Sequence, residues 1–281
     1  MTALEPCATG ALAKLRCDLA EPAVRYRMPV GGESVELNPL LGRRLALRYA
    51  GEIFCVACSR KTSKSFNQGY CYPCFRKLAA CDLCIMAPER CHYHEGTCRE
   101  PEWGEAHCMT EHVVYLANST GVKVGITRAG QVPTRWIDQG AVQALPFART
   151  ATRQQAGLVE VLLKEHVTDR TSWQQLLKGH PEAQDLAAMR SDLLARCAPG
   201  IEALQRAHGL QAIQPAVDAA VWEIAYPVLE FPQKVRSLAL EKLGEVEGEL
   251  LGIKGQYLLL SSGVINIRKY TGHQVALLVA P

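Results

Sequence analysis

Cysteine residues carry the clearest chemical signal in this chain. Twelve cysteines are present, and nine of them lie between Cys55 and Cys108. Within that segment, Cys55 and Cys58 form one C-x2-C pair, and Cys71 and Cys74 form another, with twelve residues between the pairs. Each pair can supply two thiolates to a tetrahedral zinc ion at about 2.3 Å, and four thiolates complete the coordination shell. The spacing predicts a closed, structural zinc site.

A second set of cysteines follows directly. Cys81 and Cys84 form a third C-x2-C pair, and a second zinc site is expected here. An iron–sulfur cluster on four of the five thiolates in this stretch is the alternative. The residues that could complete the site are Cys91, His94, Cys98 and Cys108.

Basic and aromatic residues alternate around the first two cysteine pairs. Cations mixed with aromatic rings suit phosphate contacts combined with base stacking, so this stretch is a candidate nucleic-acid surface. The alternative is a solvated face over a small zinc core that uses its aromatic rings for packing. The cations are Arg60, Lys61, Lys64, Arg76 and Lys77, and the rings are Phe66, Tyr70, Tyr72 and Phe75.

The stretch VYLANSTGVKVGITR predicts a β-hairpin. A three-residue turn at 119–121, with glycine in its last position, would pair Asn118 with Val122. That register aligns the apolar residues of the two strands on one face and places Tyr115 opposite Gly125 on the other. Lys123 and Thr127 would then flank the tyrosine. We interpret this polar face as a phosphate site, with Gly125 letting a substrate backbone approach.

The tripeptides VVY and KVG on these strands resemble the two signatures of the GIY-YIG nuclease domain. The order of elements from residue 113 to about 175 is also similar: strand, strand, short helix, strand, helix. Pro133 can open the short helix, which carries Arg135, and Thr152 can cap the next helix, which carries Glu160. Lys123 stands where that family has its second tyrosine, and the family's late asparagine would fall near Ser172.

This resemblance implies a site for phosphodiester hydrolysis. Glu160 would hold Mg²⁺ or Mn²⁺, and Arg135 would grip a phosphate oxygen. Tyr115 would orient or deprotonate the attacking water, with Lys123 favouring the phenolate. Trp136 is a further candidate for substrate contact.

The motifs CYPC, GTCREPEWG, PTRWIDQGA and GIKGQYL resemble an uncharacterised bacterial family of zinc-containing proteins, a likeness that implies no activity. Both ends of the chain look strand-like, and GRRLALRYAG and GHQVALLVAP share a frame, so we expect the ends to form one β-module. The segment after Pro181 has leucines at helical spacing, which Pro199-Gly200 should interrupt.

These patterns predict an α+β protein with a zinc-ribbon-like module beside a GIY-YIG-like α/β domain. The expected segments are 1–54 (N-terminal β-segment), 55–112 (zinc module), 113–180 (GIY-YIG-like domain), 181–222 (helical) and 223–281 (C-terminal β-segment). With 48% hydrophobic and 21% charged residues, a net charge of +3 and no run near the roughly 20 apolar residues that span a bilayer, we expect a cytoplasmic protein without a membrane partner.

Three functions fit these features. The leading hypothesis is a nucleic-acid-acting protein, and its sharpest form is a divalent-metal-dependent endonuclease. A second is an RNA- or DNA-binding module on a degenerate nuclease scaffold. A third is a zinc-stapled scaffold for a protein partner. Lys254, Arg268 and Lys269 near the C-terminus could serve either kind of binding.

Overall fold

The computed structural model describes residues 3–167 and 172–281. In chain order, the strands of these residues are β1 (Glu5–Ala11), β2 (Arg16–Asp18), β3 (Arg25–Val30), β4 (Glu33–Glu36), β5 (Arg44–Phe54), β6 (Lys61–Thr62), β7 (His112–Asn118), β8 (Val122–Arg128), β9 (Gln143–Thr150), β10 (Ile213–Pro215), β11 (Trp222–Glu223), β12 (Glu245–Lys254), β13 (Tyr257–Leu260), β14 (Gly263–Asn266) and β15 (His273–Val279). The α-helices are α1 (Tyr72–Lys77), α2 (Pro101–His107), α3 (Thr134–Asp138), α4 (Arg153–Lys164), α5 (Trp173–Leu176), α6 (Leu186–His208) and α7 (Leu240–Leu243).

The strands form three antiparallel sheets, so the architecture mixes α and β structure as predicted.

Strands from both ends of the chain build the largest sheet. Its order is β1-β15-β5-β12-β13-β14, with β6 added to β5. Strands β5 and β15 pair inside this sheet, where Leu47 lies opposite Leu277 and both side chains are buried. These are the two segments that share a sequence frame, and the predicted pairing of the chain ends is confirmed.

The central sheet has the order β10-β9-β7-β8, with β11 also paired to β9. Its β7–β8 hairpin has the predicted register, since Asn118 pairs with Val122 and Tyr115 with Gly125. Gly121 supplies the turn with a φ of +139°, a conformation that L residues with side chains rarely adopt. The prediction of turn length and register from the sequence is therefore confirmed.

Both faces of the central sheet are covered, and every residue of β7 is buried. On one face, Val114 and Leu116 pack in a core with residues of α4 and α6. On the other face, Tyr115 belongs to a larger core that includes Trp136 of α3 and strands of the terminal sheet. The interpretation of this second face as an open phosphate site is wrong, because the terminal sheet and α3 cover it.

The elements that follow the hairpin have the predicted order. Helix α3 begins directly after Pro133, β9 follows, and α4 begins after Thr152. Thr152 and Gln155 form a capping box, in which each side chain bonds to the backbone N–H of the other residue. This cap sets the start of the helix that carries Arg153 and Glu160.

The segment predicted to be helical from 181 to 222 differs in two ways. Helix α6 runs from Leu186 to His208 and passes through Pro199, so the predicted stop is wrong. Pro199 is exposed, and the carbonyl group that it leaves without an intrahelical donor can face water. The residues after α6 form the short strands β10 and β11 on the edge of β9 instead of more helix.

The cysteine-rich segment has little regular structure. Besides α1, α2 and the two-residue strand β6, its regular elements are four consecutive 3₁₀ turns at Ala79–Cys81, Leu83–Ile85, Pro88–Arg90 and Tyr93–Glu95. It packs against α4 at Gly157, where a Cβ atom would come within 2.6 Å of the Glu89 backbone nitrogen and 2.7 Å of Pro88. This close approach places the cysteine-rich segment against the helix that carries Glu160.

None of the helices in residues 3–167 and 172–281 has both the length and the apolar character required to cross a membrane.

Candidate anion-binding cleft and zinc centre

The first two cysteine pairs form one compact cluster. Cys55 follows strand β5, Cys71 precedes α1 and Cys74 lies within it, and together with Cys58 their sulfur atoms all lie within 4.8 Å of one another. The sulfur atoms of Cys58 and Cys71 are 3.7 Å apart. Four thiolates at this spacing could hold one zinc ion in tetrahedral geometry.

Electrostatics within this cluster also favour a bound cation. Burial raises the pKa of Cys55, but the backbone N–H groups of Cys71, Ala57 and Cys58 outweigh it and lower the pKa to about 6. Burial and the neighbouring thiols raise the pKa of Cys74 to about 12. Adjacent thiols resist ionising together, and a metal ion removes that resistance.

Tyr115 lies at the centre of the site predicted for hydrolysis, but its side chain is 0% exposed. Gln139 donates a hydrogen bond to the phenol oxygen, and the Arg135 guanidinium faces the same oxygen. Burial raises the pKa of Tyr115, although Arg135 and Gln139 act in the opposite direction. The phenol is therefore poorly suited to deprotonate water, and it instead holds Arg135 in place.

The Tyr115 ring, and not a substrate, occupies the space beside Gly125. A Cβ atom at Gly125 would lie 2.7 Å from both Cζ and Oη of Tyr115. The interpretation of Gly125 as an approach point for a substrate backbone is therefore corrected.

Charged groups from two helices, α3 and α4, lie near this phenol. The Arg153 guanidinium interacts electrostatically with both Arg135 and Glu160, and Glu160 also acts on Tyr115. The Glu160 side chain is 13% exposed and forms an ion pair with Lys164 at 3.4 Å. The tyrosine, the arginine and the glutamate thus lie in one neighbourhood, with the carboxylate away from bulk solvent.

The open part of this neighbourhood is a cleft of about 780 Å³ that adjoins Arg135. Arginines from four separate segments line it, and Lys14 adds a fifth cation. Among the described residues that line the cleft, Asp138 is the only acid. The four arginines are Arg128 at the end of β8, Arg135 in α3, Arg153 at the start of α4 and Arg268 after β14.

Asp138 is already engaged by neighbouring residues. Lys14 donates a hydrogen bond to one carboxylate oxygen at 2.9 Å, and Gln256 donates to the other at 2.8 Å. Asp138 therefore ties α3 to the segments at the two ends of the chain. Burial lowers the pKa of Arg153 and Arg268, and the charge of Arg135 acts in the same direction on both.

The cations predicted for nucleic-acid contact lie elsewhere. Lys61 pairs with Glu52 at 2.8 Å, and Lys64 lies over the ring of Phe66. Phe66 packs against both Tyr72 and Phe75, so these rings serve the module's own packing. None of the five predicted cations lines the cleft: Arg60, Lys61, Lys64, Arg76 and Lys77 are all exposed outside it.

Other residues singled out from the sequence have the following positions. Trp136 is 0% exposed and packs edge-on against Tyr115 and Trp222, so its assignment to substrate contact is wrong. Lys123 is half-buried opposite Ala117 on the hairpin. The Ser172 hydroxyl caps α5 by accepting from the Gln175 N–H.

Of the C-terminal cations, Arg268 lines the cleft, Lys254 is buried and donates to the Gly179 carbonyl, and Lys269 is exposed.

The second set of cysteines does not form one group, because Cys81 lies apart from the other four. Cys81 accepts a long contact from the Asn67 amide at 3.6 Å, whereas Cys84 lines a small cavity on the other side. Asp82 has an extended backbone between two 3₁₀ turns. The third C-x2-C pair, Cys81 and Cys84, therefore does not bring its two thiols to one site. His94 is exposed. The cysteines that line the cavity are Cys84, Cys91, Cys98 and Cys108.

Sequence reasoning did not single out Lys14, Arg128 and Arg153. Arg128 and Arg153 carry one weak signal, because each lies at the terminus of a predicted strand or helix, where side chains of adjacent elements meet. Lys14 carries none, since its segment reaches the cleft only through the pairing of the chain ends.

A family model described as a protein of unknown function, DUF2797, matches residues 42–275 of this chain. No curated protein and no solved structure matches it. The likeness to the GIY-YIG nuclease domain therefore stays a prediction drawn from short motifs and element order.

Proposed function

We propose that this chain, which belongs to the DUF2797 family of proteins of unknown function, binds the phosphate backbone of a nucleic acid in its arginine cleft. The observation that carries the proposal is the convergence of Arg128, Arg135, Arg153 and Arg268 around one open cleft. Guanidinium groups match phosphate oxygens in geometry as well as in charge.

The charge balance of the cleft supports an anionic ligand. Arg135 acts electrostatically on both Arg153 and Arg268, so these cations repel one another in the free protein. The single carboxylate among the described lining residues is held by Lys14 and Gln256. A bound polyanion would relieve this repulsion, and a small phosphate would occupy only part of a cleft of about 780 Å³.

The cysteine-rich segment contributes an uncharged wall to the cleft, which suits sugars and bases. In this wall, Asn67 and Gln68 present exposed amides beside Tyr70. Met86 belongs to the same wall and is 84% exposed, and it offers apolar surface to a base. Nucleic-acid grooves combine cations with polar, aromatic and apolar groups in this way.

The test is a titration of labelled DNA and RNA oligonucleotides by fluorescence anisotropy across a range of salt concentrations. Replacing Arg268 by glutamine should weaken binding of all sequences similarly and reduce the slope of log K against log salt by about 1. Arg206→Gln is the matched control, because Arg206 is an exposed arginine on α6 outside the cleft.

Two results would contradict the proposal. One is an Arg268→Gln variant with the affinity and salt slope of the unmodified protein. The other is the absence of salt-dependent binding to either nucleic acid, which is what the hypothesis of a protein-interaction scaffold predicts.

A second candidate function, divalent-metal-dependent cleavage of the bound strand, is favoured by the position of Glu160. Its carboxylate acts electrostatically on Arg153, which lines the cleft, and on Tyr115, which faces Arg135. A Mg²⁺ or Mn²⁺ ion held there would neutralise charge developing on a phosphate that Arg135 grips. Tyr115 would serve this reaction by positioning Arg135.

Cleavage is tested separately from binding by incubating a mixed nucleic-acid pool with Mg²⁺ or Mn²⁺. Glu160→Gln should lower the cleavage rate about a hundredfold or more while binding in the presence of a chelator is retained. Glu165→Gln is the control, since this exposed glutamate follows the end of the same helix. Equal cleavage by Glu160→Gln would end the catalytic hypothesis and leave the binding proposal intact.

A further inference from the structure

The four cysteines of the small cavity come from four different segments. Cys84 lies in one 3₁₀ turn, Cys91 follows the next, Cys98 lies in the loop before α2, and Cys108 follows α2. All four line the same small cavity, together with the polar residues Asp82 and His92 and with Ala79, Tyr93, Trp103 and Gly104. Four thiols converging from separate loops indicate a ligand that organises the segment.

The spacing of these sulfur atoms differs from that of the zinc cluster. All four zinc-cluster sulfurs lie within 4.8 Å of one another, but Cys91, Cys98 and Cys108 do not form a group that close. A tetrahedral zinc ion with bonds of about 2.3 Å holds its sulfur ligands about 3.8 Å apart. The spacing of these sulfur atoms is therefore wider than a single tetrahedral zinc ion requires.

We propose that Cys84, Cys91, Cys98 and Cys108 bind an iron–sulfur cluster. Such clusters are held by four cysteine thiolates, each bound to an iron atom at the periphery of the cluster, so the sulfur ligands stand further apart than around a single ion. The neighbouring apolar side chains limit water access, which protects a cluster from hydrolysis and oxidation.

Arg153 gives independent support to this assignment. Its guanidinium interacts electrostatically with Cys84 and Cys108, and one of its nitrogens donates to the Ile85 carbonyl at 2.8 Å. The Nε atom of Arg153 is buried without a hydrogen-bond partner among the described residues. A cluster with four thiolates is anionic. It would provide negative charge beside the Arg153 guanidinium and sulfur atoms that can accept a hydrogen bond from its Nε–H.

A competing set of ligands, Asp82, Cys84 and His92, also lies within 4.8 Å. However, both carboxylate oxygens of Asp82 are engaged, one by the Leu83 N–H at 2.6 Å and the other by Arg99 at 2.8 Å. His92 also contacts the Thr97 hydroxyl through Nδ1 at 2.7 Å. This set offers only three ligand atoms and does not use Cys91, Cys98 and Cys108, which line the same cavity, so the four-thiol set is favoured.

The experiment is anaerobic purification of the full chain, followed by reconstitution with ferrous iron and sulfide and by counts of iron, acid-labile sulfide and zinc. We expect equal amounts of iron and sulfide, a broad visible absorbance that dithionite bleaches, and about one zinc per chain from the first cluster. About two zinc ions per chain with no iron or sulfide after reconstitution would overturn the proposal.

Variants test the ligand set. Cys98→Ser should lose iron and keep zinc, whereas Cys58→Ser should lose zinc and keep iron. Cys81→Ser is the matched control, because Cys81 shares a C-x2-C spacing with Cys84 but lies outside the cavity, and it should keep iron. Full iron in Cys98→Ser, or loss of iron in Cys81→Ser or His92→Gln, would overturn the assignment. If Cys98→Ser is insoluble, the electron paramagnetic resonance spectrum of the reduced unmodified chain decides between a cluster and zinc.

Discussion

Tyr115 and Gly125 face each other across the β7–β8 hairpin, and the aromatic ring fills the space that the glycine leaves. In the sequence, the same two residues suggested a phosphate site, because a glycine beside the tyrosine would let a substrate backbone approach. Burial reverses that interpretation. The phenol belongs to the core, and its contribution to the cleft is to hold Arg135.

This packing makes a prediction at the residue scale. Gly125→Ala should destabilise the protein by about 1–3 kcal/mol, because the new methyl group would lie 2.7 Å from the Tyr115 ring in a filled core. The midpoint of urea unfolding at constant m value measures the change.

Gly130→Ala provides the comparison for this substitution. No atom lies within 4 Å of a Cβ at Gly130, so this variant should unfold at nearly the same urea concentration as the unmodified protein. Equal stability of Gly125→Ala and Gly130→Ala would show that the ring has room to move and that the glycine serves another purpose.

At the scale of elements, the cysteine-rich segment stands out because short turns replace longer helices and strands. Six residues form its helix α1 and seven form α2, and the turns between them have three residues each. Elements this short cannot bury enough apolar surface to fold alone, and a zinc ion on the four clustered cysteines could supply much of their stability. The contact of α4 at Gly157 then fixes the segment beside the cleft.

Removing zinc should therefore unfold this segment selectively. Cys58→Ser, or treatment with a strong chelator, should lower the melting temperature and make residues 55–77 exchange their amide hydrogens rapidly, while the terminal sheet stays protected. Cys58 is suited to the test because it is exposed, so serine at this position disturbs little beyond ligation.

Cys7→Ser is the control, since Cys7 is exposed on β1 and far in sequence from the cluster. Unchanged melting and exchange in a chain shown to contain no zinc would rule out a stabilising role for the metal.

At the scale of the whole molecule, the cleft exists only because three parts of the chain meet. The hairpin, α3 and α4 contribute Arg128, Arg135 and Arg153, and the zinc module contributes the uncharged wall. The remaining cations, Lys14 and Arg268, come from segments that lie 254 positions apart and are joined through the terminal sheet. The Lys14–Asp138–Gln256 contacts hold these parts in register.

Local patterns were sufficient wherever the controlling interactions are local. The C-x2-C spacing placed Cys55, Cys58, Cys71 and Cys74 in one cluster, since each pair needs only one turn of backbone. Strand alternation and a single turn glycine determined the hairpin register, and a Thr-x-x-Gln pattern determined where α4 begins. The pairing of the chain ends was also predicted, from their shared sequence frame.

Tertiary structure decided which side chains reach solvent and which reach one another. Strand alternation assigns Tyr115 to a face but cannot reveal that the terminal sheet covers that face. Exposed lysines and arginines look alike in sequence, and only the fold separates Arg153 and Arg268 in the cleft from Lys61 and Arg76 outside it. The physical reason is that burial and the convergence of like charges depend on contacts between residues far apart in the chain, which no local spacing encodes.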